Sequence, residues 1–105
     1  MREIARFDAY LLDSLMPDLV GHDRQPSAFI VYLYLAHRVT RARTRAVAIS
    51  LQGIAADTGL SKTAVQSAIR TLVRRRLLRV DKRSRTAIPS YTVLRAWGAR
   101  GTRGA

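Results

Sequence analysis

Between Ser50 and Arg70 the chain places small and apolar residues where two short, crossing helices must touch, and polar residues at most other positions. Ser50 suits the cap of a first helix whose inward face is Leu51, Ile54 and Ala55. Thr58-Gly59-Leu60-Ser61 then turns the chain. Gly59 fits the left-handed position just past a helix end, and Ser61 fits the cap of the next helix. Val65, Ala68, Ile69 and Leu72 give that second helix one apolar side, while Lys62, Thr63, Gln66, Ser67, Arg70 and Arg74 fall on its other faces. Such spacing predicts two helices joined by a tight turn, the second laid across the first.

The flanking segments fill in an architecture. Residues 3–16 predict an amphipathic helix: Ile4, Phe7, Leu11 and Leu15 follow helical spacing, and Leu12 and Met16 widen the stripe. Pro17 is expected to end it, leaving Pro17 to Pro26 as a polar connector containing Gly21. A second helix is expected from about Ser27 to Thr40. Its centre, Phe29 to Ala36, is apolar nearly all round, as in a helix buried against several neighbours. The β-branched and aromatic content of that run also permits a strand, but its length and its Pro-Ser start favour a helix. A basic loop, Arg41 to Arg45, leads to a short apolar strand at Ala46 to Ile49. Beyond the two-helix motif, Leu77 to Asp81 and Ser90 to Leu94 read as the strands of a hairpin. Lys82 to Thr86 form its tip, and Pro89 sits at a strand start or edge. Arg95 to Ala105 holds three glycines and three arginines and is expected to fray beyond Trp97, itself read as a plug packing the C-terminus onto the domain.

Ala55, Gly59, Leu60, Val65 and Ala68 fall at the small, turn and core positions of bacterial helix-turn-helix regulators. Leu72 to Val80 is similar to the end of a recognition helix and the first wing strand of winged-helix proteins. The resemblance spans roughly residues 26 to 94. It implies a mainly α fold with a small β-hairpin wing, a winged helix-turn-helix. Most winged-helix chains carry a glycine just after the recognition helix; this chain has Arg76, which implies a different exit. The expected organisation is an N-terminal amphipathic helix and connector at 1–25, a DNA-binding domain at 26–97 and a flexible basic tail at 98–105.

Charge is the second constraint. Residues 1 to 37 hold three arginines against five acids, whereas residues 38 to 105 hold sixteen lysines or arginines against only Asp57 and Asp81, within a net charge of +12. Charge gathered on the half with the two-helix motif predicts a phosphate-facing surface there and a less basic surface turned away from it. A chain of 105 residues supports one core and leaves no room for a separate ligand-binding or catalytic domain. The absence of cysteine excludes disulfides, thiol switches and thiolate metal sites. The N-terminus lacks a secretory apolar core, and the apolar run Ala28 to Ala36 is too short to span a bilayer, so a cytoplasmic, nucleoid-associated protein is expected.

A helix about 12 Å across fits the major groove, with residues near its N-terminus reaching base edges. Lys62, Thr63, Gln66, Ser67 and Arg70 are therefore the base-reading candidates. Gln66 suits an adenine edge, Arg70 a guanine or a phosphate, and Thr63 a thymine methyl. Arg74 and Arg75, late in the helix with Arg76, are candidates for phosphates. Lys82, Arg83 and Arg85 on the wing suit the backbone or a narrow minor groove, and Arg41, Arg43 and Arg45 suit flanking backbone.

No glycine-rich phosphate loop, nucleophile elbow or paired-acid pattern is present, which argues against an enzyme. His22 and His37 share no metal-ligand spacing, and no metal, cofactor or small-molecule substrate is implied. Tyr32 and Tyr34 read as core. The partner expected is double-stranded DNA, bound by a homodimer acting as a transcriptional regulator, with repression favoured. The N-terminal helix packs either on its own domain or against a second copy. The Tyr-Leu-Tyr-Leu helix followed by a basic loop and the motif also resembles the winged-helix modules of plasmid and phage replication initiators.

Overall fold

Four helical stretches each give way to a residue in the left-handed region, and these stops set the architecture. They are Arg24 (φ 55°), Arg43 (φ 60°), Gly59 (φ 84°) and Arg76 (φ 58°) in a computed structural model that describes residues 2–95. Three of the four are arginines where glycine is the usual choice.

The N-terminal helix departs from the expected 3–16. Residues 2–8 are not helical, and Ile4 is 78% exposed. The Asp8 carboxylate accepts the Tyr10 N–H at 2.9 Å and the Asp8 carbonyl accepts that of Leu11, so Asp8 starts the helix and the stripe begins after Phe7. Pro17 does not end it. Leu11–Leu15 and Pro17–His22 are both π-helical, and Pro17 opens the second of them. Proline offers no N–H and its ring crowds the carbonyl four residues back; the wider i→i+5 register, as in Asp23 N–H to Asp18 O at 2.9 Å, carries the chain past it. The expected connector at 17–26 thus shrinks to a turn at 23–25, and Gly21 lies inside a helix. Leu11, Leu15 and Leu19 form the buried stripe.

Helix α1 (Pro26–Ala42) starts with Pro26 in its first turn and buries Ala28, Phe29, Val31, Tyr32, Leu35, Ala36 and Val39, settling the helix-or-strand question. Its end is a six-to-one closure, Thr44 N–H to Val39 O at 3.0 Å, around left-handed Arg43. Strand β1 (Ala46–Ala48) follows. Helix α2 (Leu51–Thr58) is capped by the Ser50 hydroxyl, which accepts the Gly53 N–H at 2.9 Å. Helix α3 (Lys62–Arg74) is capped in the same way by Ser61, on Ala64 N–H at 3.0 Å. Gly59 makes the turn between them, as its lack of a Cβ permits. Val65, Ala68 and Leu72 are fully buried, and Thr71 joins them at 3% exposure.

The exit from α3 is where Arg76 replaces the usual glycine. Arg76 adopts the left-handed conformation itself, and Leu77 N–H closes on Leu72 O at 2.8 Å. The chain then enters β2 (Leu78–Asp81), crosses the tip and returns as β3 (Ser90–Val93). Strand β3 is central, antiparallel to both neighbours in the order β1-β3-β2, with Val47 and Val80 both opposite Tyr91. One sheet face, with Leu78, Tyr91 and Val93, is buried in the core; the other carries Ala46, Arg79 and Thr92. Tyr32 of α1, itself buried, donates its hydroxyl to Leu94 O at 2.9 Å and so ties the wing to the central helix. Tyr34, expected in the core, is only half-buried; it donates to Asp57 at 2.5 Å and accepts from Arg38 at 2.9 Å. Trp97 and the tail at 98–105 lie outside the described residues.

Candidate nucleic-acid interface

Ser61 fixes where α3 begins, and that start decides which side chains stand in line. Lys62, Gln66, Arg70 and Arg74 recur every four residues on one exposed face. The apolar side of the same helix, at Val65, Ala68 and Leu72, locks that face outward.

The wing completes a groove. Lys62, Gln66 and Arg70 line one wall, Lys82, Arg85 and Thr86 the other, with Ser50 and Gln52 from α2 at the edge. Ile69, Val80, Ile88 and Tyr91 supply apolar floor, and no acid lines it. Among the described residues none of its four basic side chains makes an ion pair, so all four are available to an anion. Thr63 is exposed at the start of α3 and Ser67 is half-buried, both beside this groove rather than lining it. Arg83 is exposed at the wing tip. Gln52 and Ile88, the latter 62% exposed, were not among the expected contacts; Gln52 sits in the first turn of α2, where its exposure was readable from the cap at Ser50.

The expected phosphate contacts divide. Arg74 is exposed on the line of the readers. Arg75, one residue on, points the other way: its guanidinium donates to Asp18 of the N-terminal helix and, at 2.6 Å, to Asp23 in the turn that follows it. It is a structural clasp between that helix and the end of α3, and its donors are spent on carboxylates rather than left for phosphate. The Arg75 guanidinium is held charged more firmly still, first by the Asp18 hydrogen bond, against the opposing effect of burial. Asp23 is held below the ordinary carboxylate range, chiefly by its hydrogen bond with His22 and in part by Arg75. Asp18, His22 and Asp23 have ligating atoms within 4.8 Å of one another, but the guanidinium already supplies the positive charge that this cluster draws.

The basic run expected to form a loop also splits. Arg41 lies in the last turn of α1 and pairs with Glu3 at 3.1 Å, both exposed. Arg43 is the left-handed cap, exposed. Arg45 lines a separate depression with Arg79 and Arg95.

A helix, a glycine turn, a second helix with a basic outward face and a three-stranded sheet closing a groove beside it define a winged helix-turn-helix domain. The chain belongs to the helix-turn-helix domain family, whose sequence model matches residues 25–78, just over half of its length. The match runs from the start of α1 into β2, and leaves the N-terminal helix and β3 outside it. No curated protein and no solved structure matches the chain. Helix-turn-helix domains bind DNA by seating the second helix in the major groove, so DNA is the partner that family membership supports. Among the described residues, no helix is long and apolar enough to cross a membrane.

Proposed function

We propose that the protein is a sequence-specific binder of double-stranded DNA that acts as a transcriptional regulator, repressing by occupying its site. The observation that carries this reading is the acid-free groove in which Lys62, Gln66 and Arg70 of α3 meet Lys82 and Arg85 of the wing. In this reading α3 enters the major groove. Lys62, Thr63, Gln66, Ser67 and Arg70 face base edges, with Gln66 placed for a bidentate contact to adenine and Arg70 for guanine. Arg74 follows the strand backbone, and Lys82, Arg83 and Arg85 straddle the adjacent minor groove. Arg43 and Arg41 lie further out, the latter after release from Glu3.

The functional unit of this proposal is a homodimer built on the N-terminal helix. Its inner stripe packs in cis, yet Leu12, Met16 and Val20 on the outer side remain 50%, 38% and 38% exposed at four-residue spacing. A second copy covering that stripe would pair two recognition helices, and dimeric helix-turn-helix proteins read half-sites about one helical turn apart.

The test is to incubate the purified protein with sheared genomic DNA at near-physiological salt and sequence what is retained. Sharp peaks sharing a twofold-symmetric motif near promoters are expected. Peaks confined to direct repeats at an origin would shift the assignment to a replication-initiator module, and a flat profile would remove sequence-specific recognition. Leu12→Asp/Met16→Asp is expected to yield a monomer by sedimentation, and an unchanged oligomeric state would remove the helix from the interface.

A further inference from the structure

Tyr91 stands on the central strand β3 and is 2% exposed, yet it lines the floor of the groove between α3 and the wing. Its ring belongs to the core, on the sheet face it shares with Val47 and Val80. Its hydroxyl makes no hydrogen bond among the described residues. Tyr32, just as buried, spends its hydroxyl on Leu94 O at 2.9 Å. Among the described residues no enclosed side-chain donor or acceptor lacks a partner. The Tyr91 hydroxyl is therefore not sealed in the core: it is the tip of a buried ring and opens where that ring meets the groove. Burial pushes the Tyr91 pKa up, so the hydroxyl keeps its proton and remains a donor.

Duplex geometry says what passes over that donor. The major and minor grooves of DNA are separated by a sugar–phosphate strand. With α3 in the major groove and the wing tip at the adjacent minor groove, one such strand must run between them, across the groove floor. It shows the protein phosphate oxygens and sugars, and it stands between Tyr91 and any base edge. The basic side chains around it, Lys62, Arg70, Lys82 and Arg85, are long and exposed and attract the strand without fixing its depth. A hydroxyl held by a buried ring on the central strand is fixed in place, and a charged oxygen is the acceptor that rewards it most.

We propose that Tyr91 is a DNA-binding residue, its hydroxyl donating to a phosphate oxygen of the strand that runs between α3 and the wing and setting how deeply that strand sits. The inference rests on the DNA-binding reading of the recognition groove.

The test compares the full chain with Tyr91→Phe and Lys82→Met on a panel of duplexes of differing sequence, each about 20 base pairs or two helical turns long. Tyr91→Phe keeps the ring and removes a hydroxyl that has no partner in the fold, so its Tm should hold or rise. Its affinity should fall about tenfold, by a like factor on every duplex, because a hydrogen bond to a charged acceptor is lost and no base is read. The slope of log K against log salt should stay as in the parent, since a neutral donor releases no counterion, whereas Lys82→Met should lower it by about one. On the tightest-bound duplex, phosphates are then replaced one at a time by neutral methylphosphonate. One position should weaken the parent and leave Tyr91→Phe unaffected.

Unchanged affinity of Tyr91→Phe, a loss confined to duplexes that share one base pair, or a scan in which every phosphate affects the two proteins alike would overturn the proposal and leave the recognition groove standing. A fall in Tm of more than about 3 °C would show the hydroxyl to be bonded within the fold, and would overturn it as well. If the parent binds none of the duplexes, the DNA-binding reading falls and this inference falls with it.

Discussion

Replacing Arg75 by methionine separates a structural arginine from its phosphate-facing neighbour. Methionine keeps much of the aliphatic stem and removes the guanidinium that holds Asp18 and Asp23. An exposed ion pair contributes less than about 1 kcal/mol, whereas stripping one partner from a buried pair costs about 3–5 kcal/mol. The clasp lies between these limits: the Arg75 side chain is 30% exposed, Asp23 15% and Asp18 42%. Solvent screening at Asp18 discounts its share, and the loss at the better-buried Asp23 dominates. The expected cost is about 2 kcal/mol, which for a domain of this size lowers Tm by roughly 8–16 °C. Asp23→Asn alone should cost less, and in the double variant the two losses should fall short of additive by about 1 kcal/mol.

DNA binding gives the contrasting readout. Each phosphate contact contributes about 0.9 to the slope of log K against log salt. Arg74→Met should lower that slope by about one with little change in Tm, and Arg75→Met should lower Tm with no change in slope. The reasoning is refuted if Arg75→Met loses a unit of slope while Tm moves by less than about 3 °C, because the guanidinium would then spend its time on phosphate and not on the N-terminal helix.

Three further outcomes are expected. The Asp23 carboxyl titrates lower folded than unfolded, so its contribution is complete above the ordinary value of about 3.9 and is lost as pH falls through the folded value; the Tm gap between the parent and Asp23→Asn should close below about pH 4, and a constant gap would contradict this. Arg76→Gly should be neutral or raise stability by up to about 1 kcal/mol, while Arg76→Val, β-branched at φ 58°, and Gly59→Ala, at φ 84° with nothing within 4 Å of the added methyl, should each cost about 1–2 kcal/mol in thermal denaturation. On a selected binding site Gln66→Ala should lose about 1–3 kcal/mol of discrimination at one base pair, measured by competition, whereas Arg83→Ala should weaken all sequences alike.

What the sequence made legible was local. Ser50, Gly59 and Ser61 announce a cap, a left-handed turn and a second cap within twelve residues, each decided by its own side chain and backbone, and the structure builds them so. The buried face of α3 followed from spacing alone. The start of the N-terminal helix is ambiguous in the sequence because its stripe can be drawn in two registers: Ile4 and Phe7 extend the pattern of Leu11 and Leu15 as well as Leu19 does. Only the Asp8 cap and the packing of Leu19 on α1 choose between them. Pro17 is ambiguous for a related reason, since a proline disfavours continuation in α register but is accommodated in a wider one. Left-handed arginines lack the glycine that usually signals such a position: Arg24, Arg43 and Arg76 each sit inside a backbone closure at a helix end, Gln25 to Leu19, Thr44 to Val39 and Leu77 to Leu72, made by backbone groups whatever the side chain.

Contacts between distant segments explain how the charge asymmetry is used. Read linearly, sixteen basic residues in the C-terminal two thirds look like one surface, and the five acids of the first 37 residues look like a remote counterweight. Folded, those acids reach across: Asp18 and Asp23 hold Arg75, and Glu3 meets Arg41. The N-terminal segment therefore removes charge selectively, from the end of α3 and the end of α1, and among the described residues Lys62, Arg70, Arg74, Lys82 and Arg85, on and around the recognition groove, make no ion pair. The two contacts differ in strength for a physical reason. Glu3 and Arg41 are both well exposed, so their attraction is screened and a phosphate can displace it; the Arg75 clasp is desolvated on the Asp23 side and is kept. In the DNA-binding reading the segment acts as a filter on which arginines a duplex can recruit. Deleting residues 2–8 should then raise the salt slope by at most about one, through Arg41, and leave Arg75 in place.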